Sequence, residues 1–314
     1  MTATMGRSDL TPLLVTLVAE GALSAADAAR ASDALRGAGD ALRGAGDALR
    51  GAGGEPGAIA WIDAGDALDI PVTGLTQPAA RAALEAALPH LDIIVQPADS
   101  PRRKALIIAD MDSTMIQCEC IDELADYAGL KAQVAAVTDA AMRGELDFEA
   151  ALDARVALLA GMDAAVIDQC RRERVVLTPG ATTLVRTVAK FGAHSILISG
   201  GFTAFARPVA AEIGFAAVHA NTLLVANGKL TGKVARPIVD AAAKRAALLA
   251  AGVDLPATLA VGDGANDIPM IEAAGLGIAY HAKPKAAAAA DAAVRHGDLT
   301  VLLRAQGYTR ADWV

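Results

Sequence analysis

The sequence predicts an α/β protein: a parallel sheet with a helical cap inserted after its first core strand, preceded by a small α+β domain. Three observations carry that prediction. First, Ala105 to Ala109 is an apolar run without polar alternation, the pattern of a central parallel strand buried on both faces. Second, this run leads straight into Asp110-Met111-Asp112-Ser113-Thr114, and two more short apolar runs end in polar, glycine-bearing segments. These are Ser195 to Ile198, which leads into Ser199-Gly200-Gly201, and Thr258 to Val261, which leads into Gly262-Asp263-Gly264-Ala265-Asn266-Asp267. The carboxyl ends of such strands are where open α/β sheets build their sites. Third, about eighty residues separate the first run from the second, too many for a simple crossover.

That insertion carries helical periodicity at Asp122 to Tyr127, Lys131 to Arg143 and Phe148 to Leu159, which predicts a helical cap over Ile116 to about Leu177. Leu184 to Phe191 then returns to a core helix. Gly228 to Lys233 reads as a turn joining two short antiparallel strands, a flap beside the sheet. Asp240 to Ala251 is an Ala-rich helical stretch, and Gly277 to Ala279 with a helix at Leu299 to Arg304 is expected to close the sheet and cover its edge. Upstream, Leu13 to Val18, Ala58 to Asp63 and Leu91 to Val95 read as strands and Gln77 to Ala87 as a helix. Asp-Ala-Leu-Arg-Gly-Ala-Gly occurs three times between Asp33 and Gly53. Two glycines per heptad, each costing a helix about 1 kcal/mol, and one leucine per heptad argue against a coiled coil and for a frayed helix or flexible loop. The expected division is 1–99, a small α+β domain; 100–115 with 178–314, the core; and 116–177, the cap.

Composition sets the frame. At 314 residues with 54% hydrophobic residues, the chain can fill a sizeable core. A net charge of -8 argues against a non-specific grip on nucleic acid or on an anionic membrane. Cys118 and Cys120 stand too close for an ordinary disulfide or a Cys-x-x-Cys knuckle, so with Cys170 they are expected to be reduced thiols. No signal-like leader or long apolar span stands out, and a cytoplasmic enzyme is the expectation.

The strand-end residues suit phosphoryl transfer. A carboxylate attacking a phosphate dianion meets like-charge repulsion, which a divalent cation and a lysine can neutralise. Asp110, nearest the strand, is the best nucleophile and would form an aspartyl-phosphate. Asp112 can protonate the departing alcohol and then take a proton from water. Ser199 and the backbone of Gly200 and Gly201 can surround a phosphate. Lys244 can project an ammonium from its helix, and the 262–267 segment offers carboxylates to a hard cation. Each feature also has a plainer reading. Asp-x-Asp fits a solvated turn or paired helix caps, Lys244 a surface lysine, and the 262–267 segment a plain turn or a calcium loop, although the long acidic spacing of an EF-hand loop is absent.

Taken in order, the DMDST segment, Ser199-Gly200-Gly201, the helical lysine and the GDGAND segment resemble the four motifs of the haloacid dehalogenase-like phosphatases. The run from Asp110 through Glu119 to Glu123, Phe148 to Val156, Ser199 to Thr203, Thr231 to Val234 and Gly262 to Asp267 are similar to the phosphoserine phosphatase family within that group, and the likeness extends from about Lys104 to the C-terminus. The resemblance implies the Rossmann-like fold of that group and hydrolysis of O-phospho-L-serine, the last step of serine biosynthesis. It implies Mg²⁺ held by Asp110, the backbone carbonyl of Asp112 and Asp263, with Asp267 in support. It implies Ser199, Gly200 and Lys244 on the phosphate, with Asn266 near it. Glu119 is implied on the substrate ammonium, Arg155 on its carboxylate and Phe148 against its carbon chain. From the sequence alone these last three also fit a helix-surface Glu and Arg and a core Phe. The N-terminal region resembles, in arrangement only, an amino-acid-binding regulatory module, and a structural or dimerising role fits equally, so either a monomer or a homodimer is allowed. Two rival functions stand beside this one: a phosphatase for another small monoester, and an idle binding protein. The second would be expected to have lost a catalytic acid or the lysine, and Asp110, Asp112, Lys244 and Asp263 are all present.

Overall fold

The computed structural model describes residues 10–44, 54–142 and 145–314. Its N-terminal part contains β1 (Leu13–Val18), α1 (Ala25–Gly44), β2 (Glu55–Pro56), β3 (Ala60–Asp63), β4 (Ala67–Thr73), α2 (Gln77–Ala87) and β5 (Asp92–Pro97). The antiparallel sheet runs β2-β4-β1-β5, with β3 also paired to β4. Helices α1 and α2 pack together, and Leu35, Leu84 and Leu88 fill a separate core with Val15, Leu17 and Ile70.

Of the heptad repeat, residues 33–44 belong to α1, the helical alternative of the expectation and not the loop, and 45–53 lie outside the described residues. Ser24 and Asp27 explain the helix. Ser24 N–H donates to Asp27 Oδ2 at 3.0 Å and Asp27 N–H donates to Ser24 Oγ at 3.2 Å, a reciprocal cap. Ala28, Ala31 and Leu35 then lay one buried stripe against the sheet.

The second sheet is parallel, in the order β13-β12-β11-β6-β7-β8. Its strands are β6 (Leu106–Ala109), β7 (His194–Phe202), β8 (Ala217–Asn221), β11 (Thr258–Gly262), β12 (Leu276–Tyr280) and β13 (Ala292–Val294). Alternate residues of β6 enter different layers: Ile107 and Ala109 join one apolar cluster, Leu106 and Ile108 the other. An apolar run without alternation is what two covered faces require. Helices α7 (Ala181–Lys190), α8 (Thr203–Ile213), α9 (Ala241–Ala250), α10 (Ile268–Ala273), α11 (Pro284–Ala289) and α12 (Val301–Ala305) complete this part. The expected terminal helix is thus shifted to α12, which packs on β1 and α7 instead of the sheet edge. That edge is β13, and β5 of the N-terminal part lies against it.

Between β6 and α7 stand four cap helices, α3 (Cys120–Tyr127), α4 (Lys131–Met142), α5 (Phe148–Ala157) and α6 (Ala165–Arg174). Three match expected helices. The fourth is strongly polar and buries only Ile167 and Cys170, one helical turn apart. The antiparallel pair β9 (Leu223–Ala226) and β10 (Lys229–Val234) forms the flap. Its turn is Asn227-Gly228, both at positive φ, so most of the expected turn, Lys229 to Lys233, is strand. Asn-Gly favours the tight turn whose twist matches a hairpin.

Candidate active site

Asp110 leaves β6 between β11 and β7, and its N–H donates to Val261 O at 3.0 Å. The chain then makes a wide turn in which Ile116 N–H reaches Met111 O at 3.0 Å and Ser113 takes a left-handed φ of 54°. This turn returns Asp112 to the strand end. Its Oδ1 accepts from Cys120 N–H at 3.0 Å, and its Oδ2 lies 3.4 Å from the Ser199 hydroxyl. Gly201 is needed beside it, because a Cβ there would sit 2.7 Å from Asp112 Oδ2.

Lys244 enters from α9, whose first turn is fixed by Asp240 accepting from Ala243 N–H at 2.8 Å. Its Nζ donates to Asp110 Oδ1 and to Asp267 Oδ1, each at 2.6 Å, and the side chain is 1% exposed. A surface lysine is excluded. Asp267 Oδ2 accepts from Gly264 N–H at 2.9 Å, so both its oxygens are engaged in holding the site together. Among the described residues, oxygens of Asp110, Asp263 and Asp267 lie within 4.8 Å of one another.

Burial raises the Asp110 carboxyl well above its usual range, Asp267 and Asp112 push the same way, and Lys244 opposes them. Burial likewise pushes Asp112 to about 6, aided by Glu119, and Asp263 to about 6, aided by Asp267 and Glu119. For Lys244, burial favours the neutral amine, but Asp110 and Asp267 more than reverse this and keep it protonated. Asp110, Asp263 and Asp267 crowd three carboxyl groups around one ammonium, an excess of acid that the raised Asp110 and Asp263 carboxyls reflect. A divalent cation with oxygen ligands fits that donor set and that charge.

On the cap side, Glu119 accepts from Ser113 Oγ at 2.8 Å. It is exposed, as the helix-surface reading had it, yet its charge acts on Asp112 and on Arg155. Arg155 is half-buried on α5, with Nε donating to Ala151 O at 3.2 Å. Burial lowers its guanidinium while Asp122, Glu119 and Asp112 hold it charged. Phe148 covers Gly200, where a Cβ would stand 3.1 Å from the ring.

Asp110, Asp112, Ser199, Gly200, Lys244, Asp263 and Asp267 are therefore gathered at the carboxyl edge, with Glu119, Phe148 and Arg155 facing them from the cap. Asn266 is half-buried in the same loop, and among the described residues no hydrogen bond joins it to the others. The sequence reading passed over Thr114, whose hydroxyl lies 3.4 Å from Asp263 Oδ1, and Lys283, whose N–H donates to Asp263 O at 3.2 Å. Thr114 was signalled by its place in the DMDST segment. Nothing local marked Lys283.

A parallel sheet that carries paired carboxylates, a buried lysine and an acidic cation site under a helical cap is the architecture of a family of hydrolases. The family model for haloacid dehalogenase-like hydrolases matches residues 107–272, and the chain belongs to that family. It is 47% identical over 253 residues to a phosphoserine phosphatase of Streptomyces coelicolor, covering 78% of this chain. The match spans 62% of that relative's own length. A solved structure of a probable phosphoserine phosphatase from Vibrio cholerae, in unliganded form, aligns over 98% of this chain and 90% of its own, with 33% identity and a TM-score of 0.71. A phospho-aspartyl intermediate analogue of phosphoserine phosphatase aligns over 64% of this chain and 98% of its own, with 37% identity and a TM-score of 0.59.

Proposed function

We propose that the protein is a phosphoserine phosphatase that hydrolyses O-phospho-L-serine to L-serine and phosphate, the last step of serine biosynthesis, through an aspartyl-phosphate on Asp110. The observation that carries this reading is Lys244 held at 2.6 Å from both Asp110 and Asp267, with Asp112 alongside and Glu119 and Arg155 over the opening. Asp110 attacks phosphorus, and the bond to the serine oxygen breaks as Asp112 gives that oxygen a proton. Serine leaves. Asp112, now ionised, takes a proton from water, which attacks the aspartyl-phosphate and frees Asp110. Ser199, the Gly200 backbone and Lys244 hold the phosphoryl oxygens, with Asn266 near them. Glu119 takes the substrate ammonium, Arg155 its carboxylate through paired hydrogen bonds, and Phe148 its carbon chain.

Mg²⁺ is the cation of this reading, held by Asp110, the Asp112 carbonyl and Asp263 with Asp267 in support, and when bound it screens phosphoryl charge during transfer. The working division is 1–99, 100–115 with 178–314, and 116–177, with the last acting as the lid that excludes water. The protein is read as a cytoplasmic enzyme, monomeric or dimeric through its N-terminal part. No described helix is long and apolar enough to cross a membrane.

A panel of phosphoserine, phosphothreonine and sugar phosphates tests the substrate. Preferred release of phosphate from phosphoserine is expected with Mg²⁺, silenced by EDTA and restored by added Mg²⁺. Preference for a sugar phosphate, or full turnover after rigorous chelation, would refute the reading.

A further inference from the structure

Asn221, the last residue of β8, is 2% exposed and spends its whole side-chain amide on two segments that carry the site. Its Nδ2 donates to Gly200 O at 2.8 Å and to Val239 O at 3.3 Å, and its Oδ1 accepts from Val239 N–H at 2.7 Å. Val239 directly precedes Asp240, the residue that caps the helix of Lys244. Gly200 directly follows Ser199. The ladder between β7 and β8 shifts register between Ser199 and Phe202, so the intervening peptide units are outside regular pairing and need another partner.

The contact with Gly200 also has a directional effect. In a planar trans peptide the carbonyl and the next N–H point opposite ways, so fixing Gly200 O aims the Gly201 N–H. That N–H donates to Ser199 Oγ at 2.8 Å. An oxygen that accepts there has its own proton free for a partner on the other side, where Asp112 Oδ2 stands at 3.4 Å.

We propose that Asn221 is a positioning residue that sets the Ser199 hydroxyl and the start of the Lys244 helix in one fixed relation, acting through Gly200 and Val239. The proposal rests on the reading of Ser199 and Lys244 as phosphoryl contacts. The test is a double-mutant cycle of Asn221→Ala and Ser199→Ala, read as kcat and KM with Mg²⁺ on phosphoserine and on p-nitrophenyl phosphate. Alone, Asn221→Ala should lower kcat on the order of 10²-fold, as misplacement by about an ångström does, with a much smaller change in KM. In the Ser199→Ala background the same change should cost several-fold less, because the hydroxyl it served is gone. Losses that simply multiply, or an Asn221→Ala enzyme within about twofold of wild type, would overturn the proposal. If Asn221→Ala does not fold, Asn221→Ser, which keeps one hydroxyl donor, replaces it in the same cycle. A wild type that hydrolyses only the aryl ester refutes the phosphoserine reading, and the cycle on that ester still decides the role of Asn221.

Discussion

In the proposed reading Arg155 takes the substrate carboxylate: its half-buried guanidinium lies among Asp122, Glu119 and Asp112, and among the described residues no carboxylate is bonded to it in a fork. Such a group has capacity for a carboxylate ligand. Arg155→Ala should weaken kcat/KM for phosphoserine by about 2 to 4 kcal/mol, the scale for truncating one partner of a desolvated charge pair. It should weaken turnover of a small ester without a carboxylate far less. Steady-state kinetics on both esters checks this, and equal losses would mark Arg155 as structural. At this scale most of the site was legible from the sequence, since strand-end carboxylates, a hydroxyl and a loop of acids announce themselves by type. What escaped was contact across chain distance. Lys283 meets Asp263 and Asn221 meets Val239 only because the sheet order brings their segments together, and a single sequence does not print that order.

Elements were legible where burial and local signals agreed. The β6 and β11 runs are wholly buried and were read almost to the residue, and the bounds of α2 were read in full; the structure shows Thr76 capping α2 and Pro78 in its first turn. Among the elements not read, the start of α1 and the whole of β4 were hidden by misleading residues. The glycines of the repeat obscured α1, although Ser24-Ala25-Ala26-Asp27 carried the cap signal. Pro71 and Asp69 obscured β4, yet Asp69 is buried there because Thr16 Oγ1 donates to it at 2.8 Å and Arg102 pairs with it at 2.6 Å. The cap of α1 gives a stability prediction. The Ser24 hydrogen bonds, joined by Arg30, hold the Asp27 carboxyl well below the usual range, outweighing its burial. Asp27→Asn should therefore cost about 0.5–2 kcal/mol in chemical denaturation. An unchanged midpoint with an unchanged slope would show that α1 does not depend on this cap.

At the scale of the whole molecule, the N-terminal part and the C-terminal segment are joined by ionic contacts. Arg304 is fully buried, pairs with Asp63 and Asp66, and stacks on Trp313 at 4.6 Å. Asp92 accepts three backbone N–H groups, from Arg295, His296 and Gly297. Asp63 and Asp66 are only partly buried and Arg310 still pairs with Asp66, so Arg304→Leu should destabilise by about 1–3 kcal/mol, less than the loss of one partner of a fully buried pair. Thermal unfolding at neutral pH checks that figure. Burial alone would raise the Asp66 carboxyl, but the Gly21 N–H, Arg310 and Arg304 more than offset it and leave it below its usual range. Its folded-state pKa is therefore depressed. Its stabilisation is full above the unfolded value, about 3.9, and is lost as pH falls through the folded one. The junction should loosen below about pH 4, and Asp66→Asn should blunt that acid dependence; an identical dependence in the variant would contradict the assignment.

In the proposed reaction Asp110 carries the phosphoryl group, and trapping it there is the most direct test. Wild-type protein with Mg²⁺ and phosphoserine labelled in its phosphate, quenched in acid during turnover, should retain label on the peptide that contains Asp110, released by hydroxylamine as an acyl phosphate is. Asp110→Asn should retain none and release no phosphate, with its fold intact. A variant that turns over at the wild-type rate, or label held on another residue, would contradict the account.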